Sequence, residues 1–153
     1  MTRRVYWQIM LREAEAFCRV VRWSVVFANS RVAADPTLLP AGTSASLLRD
    51  AAEAVDGLSL VRIFSTFEAA LRESYPSLKQ GQPPPTRTRD LVDSVASRRS
   101  VPAALTAAAH GVREARNEVV HRSRPDPVDV LAGKQVLSRF LKYLPPDWPE
   151  DES

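Results

Sequence analysis

The stretch "PAALTAAAHGVREARNEVVH", Pro102 to His121, decides the fold class. A proline opens it where a first helical turn tolerates one, alanine fills its first half, and Gly111 is the one poor helix former inside. At about 100° of rotation per residue, Leu105, Ala108, Val112, Ala115 and Val119 fall on one narrow stripe, which is expected to pack inward. His110, Asn117 and His121 fall roughly opposite, with Arg113 and Glu114 on the flanks. Arg116 sits near the edge of the packing stripe, with a stem long enough to swing toward the polar face. Both histidines of the chain therefore stand on this helix.

Working outward, the same period recurs. Trp7, Leu11, Ala14, Cys18, Val21 and Val25 return at spacings of four and three, which predicts a helix over 6–30, with Arg12, Glu15, Arg19 and Arg22 flanking or opposing the stripe. "VAADPTLLPAG" reads as a loop. A short helix over 43–55 follows, capped by Thr43 or Ser44. After Asp56-Gly57 a third helix, 58–75, carries Leu60, Phe64, Phe67 and Leu71 and is expected to close at Pro76. "KQGQPPPTR" is a proline-rich connector, and Thr88 to Arg99 reads as a short helix or turn. Beyond the helix over 102–121, the segment "DPVD" predicts a last helix over 127–144, with Asp126 as cap, Pro127 in the first turn, and Leu137, Phe140, Leu141 and Leu144 facing inward. Residues 145–153 read as a flexible tail, with Trp148 a docking anchor on it. No stretch reads as a strand and no internal repeat is visible. The expected architecture is all-α, a single domain of four to five main helices.

Composition narrows the function classes. The chain of 153 residues suits one domain with a real core. No stretch without charge is longer than Ser100 to Val112, far below the roughly 18–20 residues that span a bilayer, so no membrane helix is expected. Arg12, Glu13 and Glu15 interrupt the first apolar run where a signal peptide needs an unbroken one, and the expected location is cytoplasmic. The lone Cys18 lies in the apolar pattern of the first helix. A net charge of +3, carried mostly by arginine, permits a nucleic-acid partner without demanding one. Glycine-rich phosphate loops, Cys/His clusters for zinc and serine–histidine pairs are missing, so neither a metal nor a cofactor is expected.

Read from spacing alone, His121 is a solvated residue at a helix C-terminus, where the dipole favours a cation. Glu68 lies within about 40° of the Phe64 direction, beside the core stripe of its helix, where a carboxylate wants a cation. Arg72, four residues on, is the local partner. A second expectation is that Glu68 reaches Arg116 and fixes its pose.

"RNEVVH", Arg116 to His121, resembles the signature of the HEPN superfamily: arginine, a polar residue, then histidine after four to six intervening residues. Four residues intervene here, and Asn117 fills the polar slot. The order of helices is similar as well, and "LVRIFSTFEAALRESY", Leu60 to Tyr75, resembles the helix that packs beside the motif in such domains. The resemblance implies a metal-independent endoribonuclease that works as a homodimer, with Arg116 and His121 as the catalytic pair and Asn117 in support; Glu68 would support the site by its reach to Arg116, as its place on the helix suggests. RNA would be the substrate, and the biology would be that of a toxin–antitoxin or phage-defence effector, with an antitoxin or other regulatory protein as a further partner. The family also contains non-catalytic members that dimerise and bind nucleotide, RNA or protein. One toxin branch carries a tyrosine two residues after the histidine, which its partner modifies; Ser123 stands there in this chain.

Overall fold

The computed structural model describes residues 1–121 and 129–148. Five α-helices follow one another among these residues: α1 (Arg3–Ala34), α2 (Ala45–Leu78), α3 (Thr88–Arg98), α4 (Ala103–His121) and α5 (Val130–Leu141), with one 3-10 turn at Pro36–Leu38. No strand is present among the described residues, and the helices form a single compact domain, as the periodicity predicts. No helix among them is long and apolar enough to cross a membrane.

α1 and α2 form a long antiparallel hairpin. Its register is set by Arg3 Nε to Glu73 Oε1 at 3.6 Å, the Cys18 thiol facing the Ser59 carbonyl at 4.0 Å, and Arg22 Nη1 to Asp56 Oδ1 at 3.2 Å. The expected stripe of α1 faces α2, with Leu11, Ala14 and Cys18 buried. The turn between the helices is organised by Asp35, which accepts hydrogen bonds from the Thr37 hydroxyl and backbone N–H; these hold its carboxyl below the usual carboxylate range. Ser44, one of the two expected caps, accepts from the Leu47 N–H at 3.1 Å and starts α2.

The two helices expected over 43–55 and 58–75 are one. Gly57 does not break the chain direction, because its missing side chain is where α4 crosses: a Cβ built there would lie 2.8 Å from Val119 Cγ1. A mid-helix glycine costs about 1 kcal/mol against alanine, and close packing of α4 offsets that. Pro76 does not close the helix either. It sits in the last turn, where few backbone bonds remain to lose, and α2 ends two residues later. Gln80 and Gly81, both at positive φ, then reverse the chain, with the Gly81 N–H donating to the Pro76 carbonyl at 2.8 Å.

The Gly57 crossing yields a test. Gly57→Val is expected to lower the unfolding free energy by about 1–3 kcal/mol through overpacking, although valine is the better helix former. Adding Val119→Ala should recover much of the loss in thermal denaturation. A stabilised single variant would show that α4 does not press on Gly57.

α3, α4 and α5 pack on the inner half of the hairpin. Phe67 is fully buried, 5.7 Å from the Phe64 ring and edge-on to Phe140 at 5.3 Å. Gly133 lets α5 pack close to Leu60, since a Cβ built there would lie 3.0 Å from Leu60 Cδ1, and Leu91, Val92 and Val95 bury the face of α3, which is a full helix rather than a turn. Asp129 caps α5 by accepting from the Ala132 N–H at 2.9 Å. The expected cap Asp126 and Pro127 lie outside the described residues, and α5 ends at Leu141, ahead of the expected 144.

The tail is a larger correction. Through Trp148 it is part of the core: the indole is buried and its Nε1 donates to Glu73 Oε1 at 3.0 Å, while the Arg4 N–H donates to the Pro146 carbonyl and the Arg3 N–H to Asp147. Trp148 therefore anchors the C-terminal segment onto the hairpin rather than onto a partner.

Candidate functional site

The last turns of α4 carry Arg116, Asn117 and His121. The buried face of α4 is centred on Ala109 and Val112, which is displaced from the expected stripe. Arg116, four residues after Val112, falls between those two on the helical wheel. Its stem consequently runs into the protein, and its guanidinium lies over the Phe64 ring, 6.0 Å from the centroid. Arg116 Nη1 donates to Asn117 Oδ1 at 3.0 Å, and Arg116 Nε is buried without an acceptor among the described residues. The guanidinium is thus held from two sides.

Asn117 is half-buried and His121 is exposed. They are one turn apart, within about 40° around the helix, so the carboxamide and the imidazole share a face. The arrangement is a guanidinium, an amide that accepts from it, and an exposed imidazole one turn on.

Glu68 is not part of this group. Its Oε1 accepts from Arg72 Nη2 at 2.6 Å and Nε at 3.1 Å, and from the Thr88 hydroxyl at 2.9 Å. Arg72 in turn donates to the carbonyls of Pro85 and Thr86, so the local partner is the one observed and the pair ties the proline-rich connector to α2. The expected reach to Arg116 is replaced by this contact because α3 begins at Thr88 directly above Glu68. Glu68→Gln is expected to cost about 1 kcal/mol through weakened charged hydrogen bonds, partly screened by solvent, with any RNA cleavage unchanged. A selective loss of cleavage at full stability would restore Glu68 to the site.

His110, expected on an open polar face, is half-buried and meets Asp93 of α3, Nε2 to Oδ1 at 2.7 Å. α3 covers that side of α4, which explains why the buried face is rotated toward His110. Arg113 is also drawn in, with a side chain 16% exposed that donates to Glu114 at 3.1 Å. Ser123 lies outside the described residues.

Periodicity did not indicate Phe64 as the floor beneath Arg116, nor Val119 against Gly57 as the clamp that sets the height of α4. A signal existed for the second: a glycine inside an otherwise continuous helical pattern marks a close approach. Among the described residues, no group of three or more His, Cys, Asp or Glu side chains is placed to hold a metal ion. The chain matches no family of known proteins, no curated protein and no solved structure.

Proposed function

We propose that this chain is an HEPN-type endoribonuclease, cytoplasmic, acting on RNA as a homodimer without a required metal. The observation that supports the reading is the fixed Arg116 guanidinium, bound to Asn117 and seated on Phe64, with His121 one turn away on the Asn117 face. An ordered guanidinium is suited to hold a scissile phosphate and to offset charge developing on its oxygens. The His121 imidazole, exposed at the end of α4, is suited to take the proton of a ribose 2′-hydroxyl. The 2′-oxygen then bonds to phosphorus, the bond to the 5′-oxygen breaks, and that oxygen leaves with a proton. The products are a 2′,3′-cyclic phosphate and a 5′-hydroxyl. One motif carries one histidine, and a two-fold dimer supplies the second as the acid.

The biology that goes with this chemistry is a toxin or phage-defence effector held by an antitoxin or another regulatory protein. The test is incubation of the purified chain with a mixed RNA panel in EDTA, followed by analysis of product ends. Cuts leaving 2′,3′-cyclic phosphates are the expected result. Absence of cleavage by a folded dimer would overturn the enzyme reading in favour of a non-catalytic module that binds nucleotide, RNA or a protein through the same face.

A further inference from the structure

An open cleft of about 480 Å³ lies between the start of α4 and the end of α5. Its floor is aliphatic: Ala104, Leu105 and Ala108 come from α4 and Val136 from α5. Alanine at 104 and 108 leaves the space that longer side chains would fill. A cleft of this size falls in the range that holds small ligands, about 300–1,000 Å³.

Three donors follow Val136 along α5. Arg139, Lys142 and Tyr143 line the cleft, and among the described residues none of these side chains has a hydrogen-bond acceptor or an ion-pair partner. Cations late in a helix ordinarily serve its last carbonyls. Here residues from elsewhere take that role: Arg4 Nη1 donates to the carbonyls of Lys142 at 3.1 Å and Leu144 at 3.2 Å, and Arg99 Nε donates to that of Tyr143 at 2.6 Å. Arg139 and Lys142, both exposed, are left without an acceptor. No Asp or Glu lines the cleft, and the first turn of α4, which borders it, carries no acid either. The positive end of the α4 dipole adds to the same field.

We infer that this cleft binds a small amphipathic carboxylate, with a medium-chain aliphatic body on the alanine, leucine and valine floor and its head group on Arg139, Lys142 and the Tyr143 hydroxyl. At roughly 30 Å³ per water-sized group, the cleft holds on the order of fifteen such groups, enough for a medium-chain acid and some water. A guanidinium forks onto a carboxylate with two parallel hydrogen bonds, and the ammonium and phenol supply donors for the remaining lone pairs. The aliphatic floor favours such a ligand over a bare phosphate or a nucleic-acid backbone, either of which would leave that surface in water. The cleft is also remote from the motif. Leu105 and His121 are about 24 Å apart along α4 and about 160° apart around it, so this inference does not rest on the ribonuclease reading.

The test is isothermal titration of the full chain with decanoate, run at two temperatures so that a vanishing enthalpy at one does not hide binding. One saturable site below about 1 mM is expected. Arg139→Gln/Lys142→Gln should weaken decanoate by about tenfold or more, whereas Arg12→Gln/Arg31→Gln, which removes the same charge from α1, should leave it unchanged. Ala108→Leu, which fills the floor, should abolish binding with the circular-dichroism spectrum and melting curve of the parent; Ala104→Leu, at an exposed position, gives the same reading should Ala108→Leu fail to fold. Decyltrimethylammonium, with the same tail and the opposite charge, should show no saturable site. Absence of decanoate binding, or binding untouched by the cleft variants, overturns the inference. Equal binding of decyltrimethylammonium also overturns it, by reducing the cleft to an apolar surface. Inorganic phosphate binding as tightly as decanoate does so as well, and would mark the two cations as a contact for a nucleic-acid backbone. RNA cleavage at His121 is untouched by any of these outcomes.

Discussion

Phe67→Ala is expected to remove about 3–5 kcal/mol of stability, the range for truncating a fully buried phenylalanine. Phe67 has no exposed surface, and its ring is the link between Phe64 on its own helix and Phe140 on α5. Alanine would leave a cavity in the place where α2 and α5 interdigitate, and aromatic contacts that contribute beyond their area would be lost with it. Against a total of about 5–15 kcal/mol, this is a large fraction. At about 2–4 °C per kcal/mol for a domain of this size, the melting temperature should fall by on the order of 10 °C. Phe67→Leu should recover most of that. A loss under about 1 kcal/mol in the alanine variant would mean that the α2–α5 contact can collapse around the gap.

The second large effect concerns chemistry. His121→Ala is expected to abolish most RNA cleavage, by on the order of 10²–10⁴-fold for loss of a general base. Stability should hold within about 0.5 kcal/mol, because the residue is exposed in the final turn of α4. Arg116→Ala should lower cleavage by on the order of 10²–10³-fold, the scale for removing one donor to a developing oxyanion. Unlike His121→Ala it should also destabilise the fold by about 1 kcal/mol, since the guanidinium leaves the Phe64 face and the stem leaves the α4 interior. The contrast would separate two roles in the proposed reaction, one residue acting there alone and the other also packing. Cleavage retained within a few-fold in both variants would assign the activity to other residues.

Much of this molecule was legible from periodicity. The inward stripe of α1 through Leu11, Ala14 and Cys18, the Ser44 cap and the inward set Leu137, Phe140, Leu141 and Leu144 are all as the spacing predicts. The relation between Asn117 and His121 was legible too, because residues four apart share a helical face whatever the tertiary context. Glu68 with Arg72 follows from the same local rule. The errors have a common source. Asp56-Gly57 and the acidic, proline-flanked tail have the composition of punctuation, yet each meets a neighbour distant in sequence, Val119 over Gly57 and Glu73 under Trp148, whereas Pro76 falls in the last turn of α2, where it breaks little.

By itself, then, the sequence determined that the chain is helical, where most helices lie and which stripe of each is apolar, since those are properties of composition and a 3.6-residue period. Only the tertiary structure decided which apolar stripes acquire partners. It gave Arg116 its seat on Phe64, turned His110 to Asp93 by laying α3 across α4, and left Val20, Trp23 and Phe27 on α1 uncovered. A periodic pattern reports a face but not what meets it. The choice of neighbour depends on how ridges, glycine gaps and charges on separate helices fit at once, and that information is spread across the whole chain.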